Sequence, residues 1–132
     1  MTQVSTASID VAEANKAFIK QYLEAWSGRP KTEETLRNFT TSEALIEHIK
    51  VFEAAFPRYE LLIDDMVAEG DKVVIRARAR GRHEGAFAGI APTGRRMETP
   101  ALVMYRLEGG KIAEFWIQAD MASLMQQLTD ER

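Results

Sequence analysis

The sequence contains no cysteine and only two histidines, His48 and His83. Disulfide bonds, thiolate catalysis and cysteine-based metal sites are therefore excluded, and a site built from several histidines is not expected. No apolar run approaches the roughly 20 residues that a membrane-spanning helix needs. No glycine-rich phosphate loop is present either. We therefore expect a protein that is neither a metal enzyme nor a nucleotide enzyme and does not enter a membrane.

The charge balance argues against a nucleic-acid partner. The 132 residues carry a formal net charge of -3, and 45% of them are apolar, which is ordinary for one globular domain. The arginines that alternate over 76–82 are interpreted as the outer face of a strand, paired with acids such as Glu98 or Glu114. Because the start of the chain lacks the features of a signal peptide, we expect a cytoplasmic protein.

The first half of the sequence has helical periodicity. Residues 1–8 are small and polar and predict a disordered tail, and residues 9–132 are expected to form a single domain. The predicted helices run from Ser8 or Asp10 to Gly28, from about Lys31 to Asn38, and from Thr41 or Ser42 to Pro57.

The second half alternates with period two, which is typical of strands. The predicted strands cover about 59–68, 72–84, 95–107 and 111–119, and a short helix follows over 121–128. The segments 69–72 and 108–111 are typical of hairpin turns, and Pro100 predicts a bulge or an unpaired edge position. Helices followed by strands indicate an α+β fold, with a curved antiparallel sheet against three N-terminal helices and a short C-terminal helix.

Small residues at alternate positions of the second strand predict an internal cavity. Ala77, Ala79 and Gly81 fill little volume on the face that should meet the helices. Large helix residues such as Trp26 and Phe52 could equally fill that space, so both interpretations stay open.

Asp120 lies where the last strand gives way to a helix. Period two places Trp116, Gln118 and Asp120 on one strand face. A carboxylate beside an aromatic wall suits proton transfer, because desolvation raises its pKa. Aspartate is also a preferred N-cap, and Asp120 could have that role alone.

Three segments together resemble the SnoaL-like polyketide (ester) cyclase family of the nuclear-transport-factor-like superfamily. They are HIKVFEAAFP at 48–57, the hairpin and P-T-G-R turn at 68–95, and GKIAEFWIQADMASLMQQL at 110–128. The resemblance implies a cone-shaped α+β fold with a pocket between sheet and helices. It also implies an aspartate acid/base at the end of the last strand, matched by Asp120, for an aldol condensation without a cofactor. His83 is placed near the pocket mouth, although a hydrogen-bonded structural histidine is equally expected.

Three kinds of function are compatible with these residues. The first is a cofactor-independent cyclase or isomerase acting on a small or medium apolar carbonyl compound. Asp120 would remove a proton, and His83, Gln118 or Tyr105 would donate a hydrogen bond to the enolate oxygen. The expected apolar wall consists of Tyr22, Trp26, Phe52, Phe56 and Trp116. The alternatives are a non-catalytic ligand-binding module and a hydrolase or dehydratase on the same scaffold.

The strand alternation also predicts a homodimer. If Trp116 and Asp120 point inward, Phe115 and Ile117 must lie on the outer face of the sheet. They would form an apolar patch there with Leu102, and monomers rarely leave such patches open to water. We therefore expect two sheets to pack face to face.

Overall fold

The computed structural model describes residues 6–129, which form helices on one face of a four-stranded sheet. The helices are α1 (Thr6–Trp26), α2 (Glu33–Arg37), α3 (Glu43–Ala55) and α4 (Met121–Thr129). The strands are β1 (Glu60–Glu69), β2 (Lys72–Arg82), β3 (Arg96–Glu108) and β4 (Lys111–Ala119). The predicted α+β class and element order are confirmed. Residues 1–5 of the predicted tail lie outside the described residues, and α1 begins at Thr6, ahead of both predicted caps.

Hydroxyl side chains start the second and third helices. The Thr32 side chain accepts a hydrogen bond from the Thr35 amide, and the Ser42 hydroxyl accepts one from the Leu45 amide at 3.1 Å. Each satisfies an amide that has no partner within its helix. The buried Thr40 hydroxyl donates to the carbonyl oxygen of Ile112 at 2.7 Å and so joins the start of α3 to β4.

The strands form an antiparallel meander in the order β1-β2-β3-β4. Both predicted hairpin turns are present, and Gly109 and Gly110 have φ angles of 59° and 78°, which other residues rarely adopt. β4 pairs with β3 only as far as Ala101, so Pro100 lies where β3 has a strand on one side. Of the two alternatives predicted for Pro100, the edge position is thus observed, whereas the register shifts lie elsewhere, at Ile63/Asp65 and Arg106/Leu107.

The outer face of the sheet carries the predicted arginines. Arg78 pairs with Asp64 at 2.9 Å and with Glu98 at 3.1 Å, whereas Glu114 pairs with Arg106 at 2.6 Å. The predicted pairing with Glu98 is thus confirmed. These ion pairs are solvent-exposed, and such pairs each contribute at most about 1 kcal/mol to stability.

The direction predicted for β4 is wrong. Phe115 and Ile117 pack against the core, whereas Trp116 is 44% exposed and Gln118 is exposed. The physical reason is the difference between the two faces of the strand. Burying the apolar face leaves Glu114 and Gln118 hydrated, while the opposite arrangement would desolvate polar groups without partners.

The loop after β2 passes very close to the end of α3. The amides of Glu84 and Gly85 both donate to the Ala55 carbonyl oxygen at 3.0 Å. A Cβ atom at position 85 would overlap the Ala54 carbonyl oxygen. Gly85 therefore permits a close backbone approach that a larger residue would prevent.

Candidate functional site

A small cavity lies between the inner face of the sheet and the helices, and we call it the inner cavity. The space open to the centre of a water molecule is about 40 Å³. Met121 borders the cavity and is 41% exposed, which places the mouth beside the start of α4. The lining residues are Tyr22, Trp26, Leu45, His48, Ile49, Phe52, Tyr59, Leu61, Ala79, Thr99, Ala101, Val103, Tyr105, Phe115, Ile117, Ala119, Met121 and Leu124.

Both sequence-based interpretations of this space are partly realised. Ala79 borders the cavity as the alternating small residues suggested, but Ala77 does not. Trp26 and Phe52 extend into the same region and reduce the free volume. The result is a cavity with room for no more than a few water molecules, lined almost entirely by apolar atoms.

Several residues proposed for the site border the inner cavity, and others do not. Tyr22, Trp26, Phe52 and Tyr105 are in its lining. Phe56 lies behind Phe52, with the ring centroids 5.8 Å apart. Trp116 and Gln118 lie on the opposite face of β4, away from the cavity. The wall that the sequence assigned to Trp116 is supplied instead by Phe115 and Ile117.

Asp120 is the N-cap of α4. Its side chain is exposed, and its Oδ1 atom accepts a hydrogen bond from the Ser123 amide at 3.0 Å. The residues before and after it, Ala119 and Met121, border the cavity, but Asp120 does not. Because it is exposed, the carboxylate is not enclosed by the expected aromatic wall. The geometry supports the cap interpretation, because this bond satisfies an amide that α4 itself leaves unpaired.

His48 is the site residue that the sequence interpretation missed. It lies on α3 and borders the cavity, with its ring centroid 5.1 Å from that of Phe52 and 5.5 Å from that of Phe115. Burial among these rings lowers the pKa of His48 below its ordinary value of 6.5. A neutral imidazole at neutral pH can accept a proton. The sequence feature that could have identified His48 is its position on the apolar side of α3, one turn before Phe52.

His83 holds the loop between β2 and β3. Its Nδ1 atom accepts a hydrogen bond from the Thr93 amide at 3.1 Å, and its carbonyl oxygen accepts one from the Gly94 amide at 2.8 Å. The ring is fully buried against Phe56 and does not border the cavity. These contacts join the histidine and the P-T-G turn, and they support the structural interpretation of His83.

The cavity tyrosines are held in their protonated form. Burial raises the pKa of Tyr22, Tyr59 and Tyr105 well above the ordinary value for a phenol. For Tyr22 the neighbouring phenols act in the same direction, while the indole of Trp26 slightly favours the charged form. Protonated phenols in an apolar lining are hydrogen-bond donors.

A buried lysine lies behind the cavity wall. The Lys31 ammonium is 4.3 Å from the centroid of the Tyr59 ring and 5.2 Å from that of Trp26. It donates to the Glu53 carboxylate at 2.8 Å and to the carbonyl oxygens of Arg29 and Tyr59 at 3.0 Å each. Burial lowers its pKa, and Glu53 opposes that shift. All three donors have acceptors, so Lys31 acts as a structural group.

Other kinds of site find no support in the part of the chain that the structure describes. No group of three or more acidic, histidine or cysteine side chains is arranged to hold a metal ion there. Within the same residues, no helix is long and apolar enough to cross a membrane.

Comparisons with known proteins agree with this fold. A family model described as SnoaL-like polyketide cyclase matches residues 8–128. None of the curated proteins matches the chain. IdmH, a proposed polyketide cyclase of Streptomyces antibioticus, is 28% identical, with a TM-score of 0.72 over 86% of this chain and 97% of that one. A proposed SnoaL-like polyketide cyclase of Jannaschia sp. CCS1 is 22% identical, with a TM-score of 0.79 over 100% of both chains. AclR, a proposed hydroxylase of Streptomyces galilaeus, is 24% identical, with a TM-score of 0.77 over 91% of this chain and 83% of that one.

Proposed function

The chain belongs to the SnoaL-like polyketide cyclase family, and from that premise we propose that its inner cavity binds a small apolar compound carrying a carbonyl group. The observation that carries the proposal is the lining, which combines aliphatic and aromatic side chains with one imidazole. Ligand sites usually have this composition, with a few polar groups that orient the ligand.

Binding requires the cavity to widen. Established ligand sites occupy about 300–1,000 Å³, whereas this cavity offers about 40 Å³. Met121 at the mouth is a flexible side chain and can adopt other rotamers at low cost. We expect the ligand to enter past Met121 and to displace the side chains of α4 that close the cavity.

The proposed reaction begins with removal of a proton from the carbon next to the carbonyl group. His48 accepts that proton, because burial keeps its imidazole neutral at neutral pH. The negative charge then develops on the carbonyl oxygen, where a protonated phenol of the cavity donates a hydrogen bond. An aldol cyclisation and an isomerisation both start with this step, so the proposal covers both.

A non-catalytic binding module is the alternative. It is favoured by the described lining of the cavity, which includes no carboxylate, and by the capping role of Asp120. The two functions differ in one observable. The enzyme exchanges the methyl protons of acetophenone, a small aryl ketone, for deuterium in D2O, whereas the module binds acetophenone without accelerating this exchange.

Filling the cavity should weaken binding. Ala79→Leu adds three carbon atoms to a lining residue, and we expect the dissociation constant for acetophenone to rise about tenfold, as a lost methylene-sized contact or two would produce. Isothermal titration of both proteins measures the change. Ala44→Leu, on the exposed side of α3, is the matched control and should bind normally. Equal affinities in the two variants would contradict this location of the ligand.

The rate of acetophenone proton exchange should fall as the pH is lowered. The pKa of His48 is lowered from 6.5, so the base form predominates at neutral pH. We expect a rate that is constant above pH 7 and falls on acidification, with a midpoint below about 6.5. Protonation is disfavoured in the folded state, so stability is also lost as the pH falls below about 6.5. NMR titration of the imidazole signals measures the midpoint, and a value above 7 would contradict the assignment.

We also propose a homodimer, formed through a different set of residues from those first predicted. Val67, Val74, Met104 and Trp116 pair in succession and form one apolar row across the outer face of the sheet. Leu102 is 51% exposed beside this row. Two such faces can pack against each other with their strands nearly aligned.

Lysines in this row should dissociate the dimer. We expect the double variant Leu102→Lys/Trp116→Lys to raise the dimer dissociation constant at least tenfold, since buried aromatic residues dominate such interfaces. Sedimentation velocity measures the shift. Val51→Lys, which replaces an exposed apolar residue of α3, should remain dimeric. An unmodified protein that is monomeric at micromolar concentration would refute the proposal.

A further inference from the structure

Two residues of the inner-cavity lining carry buried polar atoms that lack hydrogen-bond partners. In the part of the chain that the structure describes, the orphaned buried side-chain atoms are the Tyr22 hydroxyl, the Trp26 Nε1 atom and His83 Nε2. Tyr22 and Trp26 line the cavity, whereas His83 does not. A buried donor without an acceptor costs about 1–3 kcal/mol, so native structures rarely leave such groups unpaired.

The two donors belong to one face of α1. Tyr22 and Trp26 are four residues apart, which places both side chains on the same side of the helix. Their rings meet edge to face with centroids 5.6 Å apart. Neither the phenol oxygen nor the indole N–H has a partner in hydrogen-bonding geometry. If the indole did donate to the phenol, the phenol proton would still need an acceptor.

The two donors lie in the fully buried part of the cavity lining. Tyr22 is 0% exposed and Trp26 is 1% exposed, whereas Met121 at the mouth is 41% exposed. We expect a molecule that enters past Met121 to reach Tyr22 and Trp26 with its leading end.

The charges around Tyr22 and Trp26 favour a ligand whose hydrogen-bond acceptor is neutral. The described lining contains no lysine or arginine. The Lys31 ammonium lies behind the Trp26 ring, and its donors are taken by Glu53 and two carbonyl oxygens. A carboxylate placed here would lose its hydration without gaining an ion pair, which is costly. A carbonyl oxygen accepts two hydrogen bonds and carries no full charge.

We propose that the Tyr22 hydroxyl and the Trp26 indole N–H form a subsite that binds one neutral carbonyl oxygen of a ketone or ester, with the ligand entering carbonyl end first. This inference rests on the proposed function, because it names the carbonyl group that the apolar ligand must carry and the residues that bind it. The subsite selects carbonyl compounds over hydrocarbons of the same shape and over carboxylates.

The test compares three probes of nearly equal size: acetophenone, ethylbenzene, which has a methylene group in place of the carbonyl, and benzoate, which carries a carboxylate. We expect acetophenone to bind about tenfold more tightly than ethylbenzene, since the ketone satisfies donors that the hydrocarbon leaves unpaired. Benzoate should bind more weakly than acetophenone. The chain has two tryptophans, so Trp116→Phe identifies the indole N–H signal of Trp26. That signal should move downfield on addition of acetophenone only.

Variants show which side chain causes the preference for the ketone over the hydrocarbon. Tyr22→Phe removes one hydroxyl and keeps the ring, so it should lose most of the ketone preference while its affinity for ethylbenzene is unchanged. Trp116→Phe is the control, because Trp116 lies on the opposite face of β4 and does not border the cavity. It should keep the preference. If Tyr22→Phe fails to fold, the Trp26 signal of the unmodified protein still tests the subsite.

The outcomes separate this inference from the function on which it rests. Equal binding of ketone and hydrocarbon with an unmoved Trp26 signal would overturn the subsite and leave the apolar pocket standing, with an ordered water pairing the donors. Benzoate binding as tightly as acetophenone would overturn the selection of a neutral group. Failure of all three probes to bind would contradict the proposed function, and the subsite with it.

Discussion

Replacing His48 by phenylalanine is expected to lower the rate of acetophenone proton exchange about 100-fold or more, to the level of buffer alone. General base catalysis typically contributes about 10²–10⁴-fold, and the described lining of the inner cavity offers no carboxylate to take over. Phenylalanine preserves the packing of the ring against Phe52 and Phe115. The affinity for acetophenone should therefore change little, and NMR in D2O measures the exchange rate.

Asp120→Asn is the matched comparison for this experiment. Asparagine also caps helices well, so the hydrogen bond to the Ser123 amide can be kept. We expect normal exchange and nearly unchanged stability in this variant. Loss of exchange in Asp120→Asn together with normal exchange in His48→Phe would reverse the assignment. It would return the acid/base role to the residue that the family resemblance first indicated.

Replacing Gly85 by alanine is expected to destabilise the fold by about 3–5 kcal/mol, from overpacking and lost hydrogen bonds. The added methyl group would overlap the Ala54 carbonyl oxygen. The loop would have to move away, and the two bonds to the Ala55 carbonyl oxygen would be lost with it. Urea unfolding followed by circular dichroism measures the free energy of unfolding.

A second glycine in the same loop provides the control. Gly89 has a φ of 81° and nothing within 4 Å of the position of a Cβ atom. Gly89→Ala should therefore cost only the backbone strain of a left-handed residue, about 1–2 kcal/mol. If both variants lost the same free energy, the close approach at Gly85 would not be the cause.

The fold could be predicted from the sequence because the features that indicate it are local in the chain. The shift from helical to alternating periodicity near Pro57 separates helices from strands, and α3 ends at Ala55 and β1 begins at Glu60. Gly109 and Gly110 marked their hairpin because positive φ angles favour glycine. Such features depend on neighbours in the chain and need no knowledge of the packed molecule.

The buried face of β4 was predicted wrongly from the sequence. Alternation of side chains defines two faces of a strand but does not say which of them is buried. The resemblance favoured the face with Trp116 and Asp120, whereas hydrophobic burial favours the face with Phe115 and Ile117. In the structure the burial of apolar area decides, and Trp116 remains 44% exposed. The proposed dimer row follows from the same reversal.

The roles of the two histidines depend on contacts between distant segments. His83 meets Thr93 across a loop, and His48 meets Phe115 from β4. Neither contact has a signature in the local sequence. The stripe of α3 placed His48 near buried positions, but only the packing of α3 on the sheet brings its ring to the inner cavity.

A crystal structure of the protein soaked with acetophenone tests the central claim most directly. We predict a ligand between α3 and β4, with its ring against Phe115 and Ile117, in contact with His48. The carbonyl oxygen should point toward Tyr22 and Trp26. A ligand on the outer face of β4, beside Trp116 and Asp120 with the inner cavity unchanged, would contradict it.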